Sequence, residues 1–143
     1  MTGLDRALVR RKLGTIARNL DDLQGLGRLT LDDYRRDRIR QKAVERLLQE
    51  IVEAAVDANQ HLLATTGHGV AADYYQSFVE MGHRSVIPAD LAKVLAPAAG
   101  LRNRLVHEYD EIDDKIVLEA VTSAARDFPR YVDAVERYLA ADE

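Results

Sequence analysis

The chain has no cysteine among its 143 residues, which excludes disulfide bonds, thiolate metal sites and a cysteine nucleophile. Only three prolines are present, and β-branched or aromatic residues do not alternate with polar ones over a useful length, so strands are not expected. No apolar run approaches the roughly 18 residues of a membrane helix, and the N-terminus lacks the apolar core of a signal peptide. We therefore expect a cytoplasmic protein with no membrane partner.

Apolar residues recur at helical spacing and indicate an all-α fold in one domain over residues 1–143. We expect an antiparallel bundle of four principal helices plus a short helix. Pro97 is expected to kink the helix that contains it, and Pro129 to break or bend the last one. The predicted helices span about Leu4–Leu23, Leu31–Arg36, Asp37–Thr66, Asp73–Gly82, Pro88–His107 and Asp113–Leu139.

Charge is distributed unevenly, although the formal net charge is only −4. Residues 1–46 carry twelve Lys or Arg and seven Asp or Glu, whereas residues 47–143 carry eight and seventeen. Sixteen of the twenty cations are Arg, whose planar fork suits phosphate contacts. Arg35, Arg36 and Arg38 are therefore candidates for RNA binding, although such a run serves equally well to solvate a helix surface.

The segment 101–110, which reads LRNRLVHEYD, places cations, an imidazole and a phenol together at the end of an apolar helical run. Such a cluster suits RNA as a substrate, because the ribose 2′-hydroxyl supplies the nucleophile and no metal is required. His107 can exchange a proton near neutral pH, and Arg102 can bind a phosphate and stabilise charge that grows on it. Asn103 can donate to a phosphate oxygen, and Arg104 is a further RNA-binding candidate.

Regular helix geometry does not place Arg102 beside His107, because five residues correspond to about 140° of rotation. Either the helix is ending there, or the two side chains converge across an interface between two copies of the chain. A purely structural interpretation is also open. Arg102 would then pair with an acidic residue, and His107 would stabilise the C-terminal end of a helix.

The pattern Arg102-x4-His107-x-Tyr109, with the polar Asn103 after the Arg, resembles the signature of the HEPN superfamily in the form found in HepT-type toxins. The resemblance runs in order through about residues 4–140. Two further stretches resemble the family's second helix and its third helix with the following loop. They read Asp57-x-Asn59-x-His61 and Tyr74-x-x-Ser77-Phe78 followed by Ile87-Pro88.

The resemblance implies a homodimer in which two motifs face each other across a cleft. It implies a metal-independent RNA endonuclease without a cofactor, the toxin of a type VII-like toxin–antitoxin pair, with tRNA or mRNA as its substrate. It also implies an MntA-like nucleotidyltransferase antitoxin that transfers AMP from ATP to Tyr109. The alternative function is non-catalytic, in which the chain is a binding or recognition subunit of a nucleotidyltransferase.

Two other groups of residues have both a functional and a structural interpretation. Glu53, Asp57 and His61 are four residues apart in succession and share one helix face. Two carboxylates and an imidazole can bind a metal, but such a row more often pairs with cations from another helix. The aromatic residues of the third helix can stack on bases, but their spacing favours packing in the core or in a dimer. These residues are Tyr74, Tyr75 and Phe78.

Overall fold

The computed structural model describes residues 3–107 and 112–141, and these residues contain helices and turns but no strand. The expected all-α helical bundle is therefore confirmed, with seven helices in the part of the chain described. They are α1 (Arg6–Gly25), α2 (Leu31–Arg36), α3 (Arg38–Ala64), α4 (Tyr74–His83), α5 (Ala89–Leu95), α6 (Pro97–His107) and α7 (Asp114–Ala141). None of these helices is both long and apolar enough to span a lipid bilayer.

The first four helices begin at side-chain caps that the sequence encodes locally. In each case an Asp or Thr oxygen accepts a hydrogen bond from the backbone N–H three residues later, which satisfies a donor that has no partner within the helix. The caps are Asp5, Thr30, Asp37 and Asp73. After α3, Gly67 and Gly69 adopt φ angles of 86° and 79°, which glycine adopts without the steric cost of a Cβ atom.

Two prolines behave differently from the sequence-based expectation. The predicted helix over Pro88–His107 is two helices, because α5 ends at Leu95 and α6 begins with Pro97. Proline has no N–H to donate and clashes with a preceding turn, so the first position of a helix suits it. Of the two outcomes expected at Pro129, a break of the last helix is wrong, since α7 continues through it. Pro129 is exposed, and water can therefore reach the backbone carbonyl that loses its helical donor.

Helix α3 is the centre of the bundle and packs against α1, α4, α6 and α7. Between Ile51 and Ala58 its apolar residues are buried on nearly every side. Other helices of the same chain cover this stretch. Helices α4 and α6 both pack against α3. This packing fixes the position at which the polar end of α6 meets α3 and α4.

A buried polar network connects α3, α4 and α7 inside this core. Asn59 is fully buried, its side-chain amide donates to Ser77 Oγ at 3.1 Å, and its carbonyl oxygen accepts from the Tyr131 hydroxyl. The same hydroxyl lies 3.1 Å from the carbonyl oxygen of Ala55. Burial raises the pKa of Tyr131, so it remains a neutral donor. Asn59 and Ser77 of the second- and third-helix patterns therefore have a structural role in the core.

The contact between α4 and α5 depends on the absence of a side chain at Gly82. A Cβ atom built there would lie 2.6 Å from Ala92 Cβ, a distance that real Cβ atoms do not show. We expect Gly82→Ala to destabilise the protein by about 1–3 kcal/mol, because the two helices must move apart. Thermal or urea unfolding measures this change.

Gly14→Ala is the matched control for Gly82→Ala. Gly14 lies inside α1, and a Cβ atom there would meet only Arg18 Nη1 at an ordinary 3.5 Å. We expect this change to stabilise the protein by about 0.5–1 kcal/mol, since alanine favours the helix over glycine. Equal effects of the two substitutions would contradict the close approach of α4 and α5.

Candidate functional site

Arg102 is anchored where α6 meets α3 and α4. Its Nε–H donates to Glu53 Oε2 at 3.0 Å, and its Nη2 donates to the same oxygen. The guanidinium carbon lies 4.7 Å from the centroid of the Tyr74 ring, a distance typical of a cation–π contact. The side chain of Arg102 is 17% exposed, so its guanidinium is largely enclosed but still reaches the surface.

The other polar residues of α6 lie nearer to solvent. Asn103 is exposed, and its Oδ1 accepts a long hydrogen bond of 3.4 Å from Arg102 Nη1. His107 is the last residue of α6 and is exposed. Tyr109 lies outside the described residues. Within the part of the chain described, α6 thus presents an imidazole and an amide to solvent, and the amide is in contact with the partly enclosed guanidinium.

Arg102 and His107 are not brought together on one side of a single helix. Because α6 continues as a regular helix from Pro97 to His107, the two side chains project about 140° apart. Of the two explanations given above, the end of the helix is present at His107, but α6 is regular up to that residue and does not by itself bring the two side chains together. Both elements of the structural interpretation are also present, since Arg102 pairs with Glu53 and His107 is in the last turn of α6.

An apolar groove of about 400 Å³ runs beside Arg102 between α3, α5, α6 and α7. Val94 on its edge is 47% exposed, which is high for a large apolar side chain. Arg102 and the half-buried Arg104 are the cations of its lining, and Glu119 and Asp127 are the acids. The groove therefore combines an apolar floor with charges of both signs and is continuous with the candidate site.

The three arginines predicted to bind RNA lie at the junction of α2 and α3. Arg35 forms an ion pair with Asp114 at 3.5 Å, which joins α2 to the first turn of α7. Arg36 and Arg38 are exposed. Beneath them Tyr34 is fully buried, and burial, together with Glu45 and Asp114, raises its pKa. The three arginines thus lie on the surface above a buried, neutral phenol, and Arg35 is tied to α7 through Asp114.

The row of Glu53, Asp57 and His61 on α3 has other partners in the structure. Glu53 binds Arg102, and Asp57 accepts from Lys12 Nζ of α1 at 2.9 Å. His61 Nε2 accepts from the backbone N–H of Asp5 at 2.9 Å. The predicted pairing with cations of other helices is therefore confirmed for the two carboxylates, whereas the partner of the imidazole is a backbone donor.

The three aromatic residues of α4 have three different environments. Phe78 is fully buried and packs edge-on against Tyr131, which confirms a role in the core. Tyr74 is half-buried under the Arg102 guanidinium, and Tyr75 is 48% exposed. Sequence reasoning did not identify Glu53 and Tyr74 as partners of Arg102. Glu53 was visible as one of two acids on its helix face, but nothing in the local sequence connects it to α6.

Comparison with known proteins identifies relatives along most of the chain. A family model described as Ribonuclease HepT-like matches residues 16–135. A tRNA nuclease HepT of Aphanizomenon flos-aquae (strain 2012/KM1/D3) is 40% identical over 139 residues, which are 97% of this chain and 95% of that protein. An mRNA nuclease HepT of Shewanella oneidensis is 27% identical over 132 residues, which are 90% and 96% of the two chains.

A solved structure extends the similarity to the fold. It is the tri-AMPylated Shewanella oneidensis HEPN toxin in complex with MNT antitoxin. Its TM-score is 0.83 at 25% sequence identity, over 94% of this chain and 99% of that one. The family model, the sequence identity over nearly the full length and the shared fold agree, and this chain therefore belongs to the HepT-like ribonuclease family.

Proposed function

We propose that this chain is the toxin of a type VII-like toxin–antitoxin pair and that it cuts RNA without a metal through Arg102, Asn103 and His107. The observation that carries the proposal is the polar end of α6, which presents an imidazole and an amide to solvent and also carries a largely enclosed guanidinium. The guanidinium has five N–H donors and gives three of them to Glu53 and Asn103. Two donors therefore remain for the oxygens of a phosphate.

The three side chains divide the reaction between them. Arg102 binds the scissile phosphate and neutralises the charge that develops on it. His107 accepts the proton of the ribose 2′-hydroxyl, the O2′–P bond forms, and the P–O5′ bond breaks. The leaving oxygen takes a proton from water and His107 returns its own proton to the solvent, which gives a 2′,3′-cyclic phosphate and a 5′-hydroxyl. Asn103 donates to a non-bridging oxygen of the same phosphate.

The site is complete only in a homodimer, since Arg102 and His107 project from different sides of α6. The apolar groove beside Arg102 is the face that a second copy covers. The charges of the groove support this assignment. A two-fold axis brings the same surface of both copies together, so Arg104 of one copy can face Glu119 of the other. Two copies of α6 then contribute guanidinium and imidazole groups to one cleft.

Val94→Asp tests the homodimer. A carboxylate in an apolar interface loses its hydration, so we expect the dissociation constant of the dimer to rise at least about a hundredfold. RNA cleavage should fall with it, and light scattering measures the assembly. Val70→Asp is the matched control, because Val70 is 61% exposed in the loop after α3 and does not line the groove. A monomeric wild-type protein that cleaves RNA would contradict the proposed dimer.

RNA and a nucleotidyltransferase are the two further partners of this chain in the proposed function. The RNA extends from the cleft towards Arg35, Arg36 and Arg38, and Arg104 adds positive charge beside the cleft. An MntA-like nucleotidyltransferase neutralises the toxin by transferring AMP to Tyr109, as the tri-AMPylated state of the Shewanella HEPN toxin with its MNT antitoxin supports. Since the curated relatives are a tRNA and an mRNA nuclease, both RNA classes belong in the assay.

The decisive experiment incubates the purified chain with tRNA and with mRNA in excess EDTA. The proposal expects cleavage with cyclic phosphate ends and growth arrest when the chain is expressed without its antitoxin. A protein that binds a nucleotidyltransferase but cuts neither RNA would instead be the non-catalytic recognition subunit. Cleavage that appears only when a divalent metal is restored would contradict the metal-independent mechanism.

A further inference from the structure

We propose that Glu53 of α3, together with Tyr74 of α4, is a positioning residue that holds the Arg102 guanidinium in the orientation that binds the scissile phosphate. The inference rests on the proposed function, because it concerns the same guanidinium. It adds two residues from outside the Arg-x4-His-x-Tyr motif. Neither of them touches the RNA, and both act through Arg102.

Glu53 occupies one edge of the Arg102 guanidinium. Nε and Nη2 of Arg102 donate to one oxygen, Glu53 Oε2, so the side-on edge of the guanidinium is taken. Nη1 makes only the long contact of 3.4 Å to Asn103 Oδ1. One donor remains on Nη2, and Nη1 completes the end-on edge once its long contact to Asn103 is released. This edge is a planar fork of the kind that binds two oxygens of one phosphate.

Tyr74 fixes the plane of the Arg102 guanidinium. The ring of Tyr74 lies 4.7 Å from its central carbon and restricts rotation about the last bonds of the side chain. Glu53 fixes one edge and Tyr74 fixes one face. Because these contacts come from two helices that both pack against the core, the guanidinium is oriented before RNA arrives. Such preorganisation accelerates a reaction by placing charge where the transition state needs it.

The negative charge of the Glu53 carboxylate determines how its removal should affect RNA binding and how it should affect catalysis. Its negative charge close to the phosphate repels the RNA in the ground state as well as orienting Arg102. Removing that charge should therefore not weaken RNA binding. A positioning role predicts a lower kcat with an unchanged or lower KM, whereas loss of a direct RNA contact would raise KM.

The experiment compares Glu53→Gln, Glu53→Ala and Tyr74→Phe in the dimeric, full-length protein. We expect kcat to fall about tenfold for Glu53→Gln, which keeps one acceptor oxygen, and about a hundredfold for Glu53→Ala. Tyr74→Phe keeps the ring and should remain close to wild type, whereas Tyr74→Leu should lower kcat. Glu50→Gln is the matched control, since Glu50 is also on α3 and pairs with Arg46 at 2.9 Å.

A double-mutant cycle separates positioning from damage to the fold. If Glu53 acts through Arg102, adding Glu53→Gln to Arg102→Ala should cause no further loss in single-turnover cleavage. A further tenfold loss would overturn the proposal, as would a Glu53→Gln rate that equals the Glu50→Gln rate or exceeds wild type. Arg102→Ala with wild-type cleavage would instead overturn the proposed catalytic site, so the two failures are distinguishable.

Discussion

His107→Ala is expected to lower RNA cleavage by about 10²- to 10⁴-fold, which is the range that a positioned general acid–base group contributes. The imidazole is exposed at the end of α6, so its loss leaves no cavity in the core and should change the fold little. RNA binding should be largely retained, because Arg102 and the other arginines supply the charge. Single-turnover cleavage and the affinity for RNA with 2′-deoxy nucleotides, which cannot be cut, measure the two effects separately.

His83→Ala is the control that distinguishes catalysis from a structural role of His107. His83 is also an exposed histidine in the last turn of a helix, α4. A histidine that only stabilises the negative end of a helix contributes about 0.3–1 kcal/mol to stability, and both substitutions would then have similar, small effects. Cleavage by His107→Ala at the His83→Ala rate would remove the imidazole from the mechanism and leave the structural interpretation.

Much of the fold could be predicted because its determinants are local. The short helix from Leu31 to Arg36 was predicted with its observed bounds, since the Thr30 cap acts over three residues. The period of apolar residues likewise located α3 to within two residues at either end. The division of one predicted helix at Pro97 was not predicted, and at Pro129 the sequence left open whether α7 would break or bend. The course of the helix at each proline depends on which side of the proline faces the core, and the packing of the helices determines which side that is.

The candidate site was predictable in its residue types but not in its connections. The motif itself identified Arg102, Asn103 and His107, and side-chain chemistry alone suggested their roles. The partner of Arg102 could only be stated as an acidic residue, because Glu53 is 49 residues away in the chain. Contacts over such separations depend on how helices pack. The orientation of the guanidinium, on which the proposed phosphate contact depends, is therefore a property of the fold.

Tyr109→Phe is expected to abolish neutralisation of the toxin by its nucleotidyltransferase while cleavage of RNA continues. In the proposed transfer, the phenol oxygen attacks the α-phosphorus of ATP, an O–P bond forms, pyrophosphate leaves and the phenol proton is lost. Phenylalanine has no oxygen to accept AMP. Co-expression with the antitoxin should therefore no longer restore growth, and the intact mass of the chain should show no added AMP.

Tyr75→Phe is the matched control, because Tyr75 is 48% exposed and so presents a second accessible phenol. This variant should still gain AMP and lose activity in the presence of the antitoxin. The expected inhibition follows from charge, since each AMP brings a phosphate to the residue two positions after His107 and repels the RNA backbone from the cleft. If the Tyr109→Phe chain gained as much AMP as the wild-type chain, Tyr109 would not be the acceptor. Neutralisation without any AMP would show that the antitoxin acts by binding alone.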